Sequence, residues 1–157
     1  INQSINQSIN QSINQPTKST RVLIDHADMC HAAISQATGR KRVYLYAPDQ
    51  WINLYPYTAD ITTPRASRVD IPQWRRGDAT QRHRFPRVAN ARCYTTVLEA
   101  GDLLYMPAFW WHAVEALDAN ISVLTPFDLN SDEQRVDRPW TRPDWGLDQG
   151  IIDPITS

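Results

Sequence analysis

Residues 41–47 alternate with a period of two. Lys41, Val43, Leu45 and Ala47 share one side, and Arg42, Tyr44 and Tyr46 share the other. Successive side chains of a strand point to opposite faces, so this run predicts a strand. Val22, Leu23 and Ile24 mark another over residues 21–26. Gly39 reads as the turn ahead of the alternating run and Pro48 as its end; PDQWINLYP follows as a short helical turn closed by Pro56. Residues 94–99 and 103–106 flank Ala100, Gly101 and Asp102, a tight hairpin signal. Residues 114–117 and 121–127 form a second such pair around Asp118, Ala119 and Asn120. Several short strands with turns between them predict an all-β barrel or jelly roll. Residues 58–92 break the alternation and are expected to be irregular.

The two ends read differently. Residues 1–15 are the repeat INQSINQSINQSINQ. One Ile per four residues buries too little apolar surface to offset backbone ordering, so residues 1–19 are expected to be a disordered low-complexity tail. Residues 20–128 carry the globular composition. Residues 129–157 are rich in Asp, Pro and Arg and read as an extended tail. With 157 residues and 41% hydrophobic content, the chain has material for one core.

The formal net charge of -1 argues against a wholesale nucleic-acid binder. A local basic stretch remains: Arg65, Arg68, Arg75, Arg76, Arg82, Arg84, Arg87 and Arg92, opposed there by Asp70 and Asp78. It reads as a solvated loop or as a surface for RNA or an acidic partner. Two cysteines, Cys30 and Cys93, make no disulfide framework, which favours a reducing compartment. With no apolar run of membrane-spanning length and no signal-peptide pattern, the expected place is intracellular, cytoplasm or nucleus, with no membrane partner.

Candidate chemistry begins at His26-Ala27-Asp28. An imidazole and a carboxylate two apart at a strand end face the same way and can share a metal ion. A third ligand must come from elsewhere, and His112 in PAFWWHAVEAL is the candidate. Two histidines and one carboxylate on one face of a metal are the ligand set of non-haem Fe(II) oxygenases. The spacing alone also fits a chance His-x-Asp and a structural histidine beside tryptophans. Lys41 shares its strand face with apolar residues. A lysine there needs an anionic partner, from the protein or a ligand, unless it reaches solvent at the strand's end. His31 and His83 read as surface or structural residues. Cys30 shares the parity of His26 and Asp28 and reads as packing.

Taken in order, these segments resemble the JmjC branch of the cupin superfamily. The likeness is to the group of small hydroxylases that holds the asparaginyl hydroxylase of hypoxia-inducible factor and the tRNA wybutosine hydroxylase. HAD, TGRKRVYLYAPDQWINLYPY, SRVDIPQW, RFPRVANA and LEAGDLLYMPAFWWHAVEAL carry it over about two thirds of the chain. The resemblance implies a double-stranded β-helix that holds Fe(II) through His26, Asp28 and His112. It also implies that Lys41 binds the far carboxylate of 2-oxoglutarate. The implied activity is hydroxylation of a protein side chain, or of a tRNA base, with release of succinate and CO2. Lysine demethylation is the weaker enzymatic alternative. Trp110 and Trp111 are expected in barrel packing, with a substrate groove as their other possible place.

The sequence departs from that pattern at several places, among them Asp25 directly before His26, which reads as solvent-facing with a competing ligand role as the alternative. Ala32 and Pro126 stand where these hydroxylases often carry Asn. Upstream of His26, where relatives have further strands and a Thr or Tyr for 2-oxoglutarate, stand the repeat and PTKSTRVLID. An N-terminally incomplete barrel is therefore one expectation. The competing function is a catalytically inactive or truncated cupin module that binds RNA or an acidic protein partner.

Overall fold

The computed structural model describes residues 23–27, 30–57 and 66–127, the first four as backbone alone. The described residues form seven strands: β1 (Leu23–Ala27), β2 (His31–Thr38), β3 (Lys41–Tyr46), β4 (Tyr94–Leu98), β5 (Leu103–Met106), β6 (Trp111–Ala116) and β7 (Ile121–Phe127). One antiparallel sheet has the order β1-β6-β3-β4, the other β5-β2-β7. The all-β, jelly-roll architecture read from the sequence is what this arrangement shows.

The two expected hairpins are not hairpins. β4 pairs with β3 in the four-stranded sheet, whereas β5 pairs with β2 in the three-stranded one. β6 and β7 are divided in the same way. The residues around Gly101 and Asp118 are corners that carry the chain between sheets. Gly, Asp and Asn supply the same tight backbone to a corner as to a hairpin, so local sequence does not separate the two. At the first corner the Glu99 N–H donates to the Asp102 side chain at 2.8 Å and Gly101 takes a φ of 97°. At the second, Asp118 accepts from Arg40 N at 2.5 Å and from Arg40 Nε at 2.8 Å.

Each face of the four-stranded sheet carries a core cluster, while its edge strand β4 is exposed except at Leu98. Its inner face meets the three-stranded sheet through Val43, Leu98 and Val114 on one side and Ala32, Ile34 and Met106 on the other. Its outer face carries Tyr44, Tyr46, Trp111 and Ala113. These pack under the residues between β3 and β4: the helical turn expected after Pro48 is a 3-10 turn over Pro48–Asn53, and where residues 58–92 were expected to be irregular stand α1 (Ile71–Arg76), α2 (Ala79–Arg84) and a 3-10 turn over Pro86–Asn90. Capping accounts for the two α-helices. The Asp70 and Asp78 carboxylates accept from Gln73 N and Gln81 N, each at 2.8 Å, and Gly77 closes α1 in the left-handed conformation. Six-residue helices show little periodicity, so the caps were the legible signal. Ile71, Trp74, Phe85 and Val88 supply the apolar surface that seats this cover on the sheet.

A buried carboxylate ties cover to sheet. Glu115, 6% exposed, accepts from Arg42 at 3.4 Å and Tyr44 Oη at 3.1 Å, and is paired with Arg76 of α1. Burial raises the Tyr44 phenol above its ordinary pKa, so it stays a donor.

Gly39 joins β2 to β3 with a φ of 66°, and an added methyl there would collide with the Ala119 carbonyl and the Asn120 side chain. Gly39→Ala should therefore destabilise the chain by about 2 kcal/mol or more, from left-handed backbone strain plus the clash. Urea unfolding checks this, and a loss indistinguishable from zero would mean the corner relaxes freely.

Candidate functional site

β1 and β6 are neighbours, and their register puts His26 directly across from His112. Directly paired positions of an antiparallel ladder lie on the same face. A register irregularity falls between Leu23 and His26, so strand parity from residue 23 does not carry through to 26. His112 is 7% exposed, and the same strand puts Val114 on the inner core, so the inner face is where His112 stands. Its Nδ1 donates to the Trp110 carbonyl at 3.3 Å. A carbonyl only accepts, so the proton is on Nδ1, and Nε2 is the nitrogen suited to a metal. Asp28 lies outside the described residues. Among those described, no three His, Cys, Asp or Glu gather into a ligand set.

Lys41 stands on the same face. β3 pairs Leu45 with His112 and Lys41 with Ala116, so Lys41 sits four residues along from the histidine row. That is about 13 Å of strand. It is half-buried, and burial pulls its pKa below the ordinary lysine value. Its ammonium donates to Ser122 Oγ of β7, and no carboxylate of the described residues is paired with it. Sequence reading missed Ser122. Its signal was a lone hydroxyl at the inward parity of ISVLT, between two apolar neighbours of the other parity.

The other expected residues divide clearly. Trp111 is 1% exposed and lies in the outer cluster with Tyr44, Tyr46 and Trp74, away from the barrel interior, so packing and not a groove is its place. Trp110 is half-buried and sits against Tyr94, with ring centroids 5.7 Å apart. Tyr94 pairs with Leu45, which pairs with His112, so this aromatic pair flanks the histidine row. Ala32 and Pro126 prove to be cross-strand partners on β2 and β7. Cys30 follows the end of β1 in a bend, so the parity argument does not reach it. His83 is exposed; His31 begins β2 and is bonded within the fold.

The basic stretch is largely occupied by internal contacts. Arg75 lies over the Tyr46 and Trp74 rings and donates to Tyr46 Oη at 3.3 Å. Arg82 stacks on Trp74 and donates to its carbonyl at 3.1 Å. Arg84 covers Phe85, Arg87 covers Tyr55 at 4.4 Å, and Arg76 holds Glu115. Arg65 lies outside the described residues. No helix among the described residues is long and apolar enough to cross a membrane.

The cupin-like domain family matches residues 3–133, and the chain belongs to that family. Among curated proteins it is similar to the tRNA wybutosine-synthesizing protein 5 of Danio rerio, 35% identical over 98 residues, which are 62% of this chain and 27% of that protein. It is 36% identical over 98 residues to the Jumonji C domain-containing protein 5 of Drosophila melanogaster, covering 62% of this chain and 23% of that protein. Lysine-specific demethylase 8 of Xenopus tropicalis is 31% identical over 98 residues, again 62% of this chain and 20% of that one. The chain thus spans about a quarter or less of the length of these relatives.

Burial makes the charged lysine costly to the folded state. Because burial lowers its folded-state pKa, the folded chain binds fewer protons than the unfolded chain just below the ordinary lysine value of 10.5. Stability therefore rises with pH through that window and is at its lowest where Lys41 is charged in both states. Lys41→Met should raise the thermal midpoint at pH 7, with the gain shrinking toward pH 10. Melting curves across that range test it; a midpoint lowered at pH 7 would mean the ammonium stabilises the unliganded fold.

Proposed function

We propose that the chain is the barrel of an Fe(II)- and 2-oxoglutarate-dependent oxygenase. The observation that carries this reading is the register of β1, β6 and β3. It sets His26 against His112, with a half-buried Lys41 that no carboxylate of the described residues neutralises on the same inner face. Two imidazoles and the carboxylate of Asp28 suit a non-haem iron, with positions left for co-substrate. A desolvated ammonium suits one end of a dicarboxylate, since a charge-assisted pair offsets the cost of its burial.

When bound, iron and 2-oxoglutarate would supply the chemistry that activates O2, one oxygen atom going into succinate as 2-oxoglutarate loses CO2 and the other into a substrate C–H bond. The protein's own part is to hold and to exclude. His112 is oriented by the Trp110 carbonyl, and Lys41 with Ser122 would receive the far carboxylate. Val43, Leu45 and Val114 keep the intervening wall apolar and dry. The Trp110–Tyr94 pair offers aromatic surface beside the histidine row for a substrate. A protein side chain is the proposed substrate, with a tRNA base second, a choice in keeping with the relatives' names. The arginines' internal roles weigh against the rival reading of a module that binds RNA or an acidic partner.

Anaerobic titration with Fe(II) and then 2-oxoglutarate should produce the visible metal-to-oxoacid charge-transfer band. His112→Ala should abolish it. Lys41→Ala should raise the half-saturating 2-oxoglutarate concentration at least 10-fold, about the loss of one charge-assisted contact. A folded wild-type chain without the band would rule this reading out.

A further inference from the structure

We propose that His31 is a positioning residue for His112, acting from the opposite sheet by fixing the turn that delivers it. This rests on the reading of His112 as a metal ligand.

The chain leaves β5 at Met106 and enters β6 at Trp111, crossing between sheets in four residues. Within that turn the backbone bond from Trp110 N–H to the Pro107 carbonyl is long at 3.4 Å. Phe109 takes a φ of 66°, a left-handed conformation that residues with a side chain rarely adopt. Such a conformation persists only where the surroundings over-determine it.

His31 supplies part of that determination. Its Nδ1 lies 3.0 Å from the Ala108 N–H and 2.7 Å from Tyr105 Oη. A backbone N–H can only donate, so Nδ1 is the acceptor and the ring is the Nε2–H tautomer. The His31 ring also stacks on Tyr105 with centroids 5.6 Å apart and planes 26° from parallel. Ala108 is 7% exposed, so without His31 a buried backbone donor would need another partner. Two residues on, the Trp110 carbonyl receives the Nδ1 proton of His112. The connection therefore runs from a β2 imidazole to a turn amide, then to a turn carbonyl, and finally to the ligand ring. Partners of this kind set the orientation of a metal-bound histidine.

The test is Co(II) affinity, read from its visible absorption, for the full chain and three variants. His31→Phe keeps the ring stack and removes the acceptor. His31→Asn keeps an acceptor near the Nδ1 position, and His112→Ala is the control. His31→Phe should bind Co(II) about 10–100-fold more weakly, the usual cost of losing such a partner. His31→Asn should recover most of the loss. Wild-type affinity in a folded His31→Phe chain, or no recovery in His31→Asn, would overturn the role of His31 and leave the metal reading intact. A wild-type chain that binds Co(II) no better than His112→Ala would overturn both.

A second measurement needs no variant. Zn(II) should slow hydrogen exchange at the Ala108 amide of the wild-type chain, because ligand and turn are coupled. An unchanged rate on saturation with Zn(II) would overturn the inference even if His31→Phe fails to fold.

Discussion

Trp111 and His112 are neighbours in sequence and occupy opposite faces of one sheet, and neither can change face without the other. Slipping β6 by one residue would bring the Trp111 indole inside and turn His112 outward. It would also carry Glu115 away from Arg76, Arg42 and Tyr44. Losing a buried tryptophan's packing alone costs about 3–5 kcal/mol. The outer face, which has no part in the proposed chemistry, is therefore what fixes the inner face, which would carry it. From this one register follow the pairing of His112 with His26 and Leu45, and through Leu45 the parity that puts Lys41 on the same side.

Much of this was legible in the sequence because it is local. Period-two alternation marked β3, and Pro48 marked its end. The motif segments around HAD and WWH put the histidines and the lysine forward as a candidate set. What was not legible depends on partners distant in the chain. A corner and a hairpin share their turn residues, so assigning β4 and β5 to different sheets needs knowledge of β2 and β3. Residues 71–84 hid two helices because each is too short for a 3.6-residue repeat to show. Only Asp70, Gly77 and Asp78 announced them. His31 was read as structural on strand parity, yet the strand that defined the parity ends at Ala27 and β2 belongs to the other sheet. Its bonds to Tyr105 and Ala108 span more than 70 residues.

The arginine-rich stretch shows how far a charge count can mislead. Its cations outnumber nearby carboxylates, which on composition alone suggests a polyanion surface. Arg75, Arg82, Arg84 and Arg87 instead spread their guanidinium planes on aromatic rings. Arginine suits this use because it is weakly hydrated and planar, so it seals the rim of an apolar cover without losing its charge to burial. The excess positive charge is in large part the outer edge of the core formed by Trp74, Phe85 and Tyr55.

The two sheets do not share the proposed chemistry equally. His26, His112 and Lys41 all stand on the four-stranded sheet, whose central strands carry a core cluster on each face. The three-stranded sheet leaves Leu103, Tyr105, Val123 and Phe127 largely exposed on its outer side and contributes Ser122 and the support of His31. A sheet held from both sides can keep ligands to within fractions of an ångström, whereas one held from a single side has less to resist its flexing. The pairing of Ala32 with Pro126 belongs to the same division. The family resemblance puts asparagine at both places, and a lone amide facing a proline across the ladder would lack one natural partner. Ala32 and Pro126 face each other across the ladder without a polar side chain, and the histidine and lysine rows stand on the other sheet.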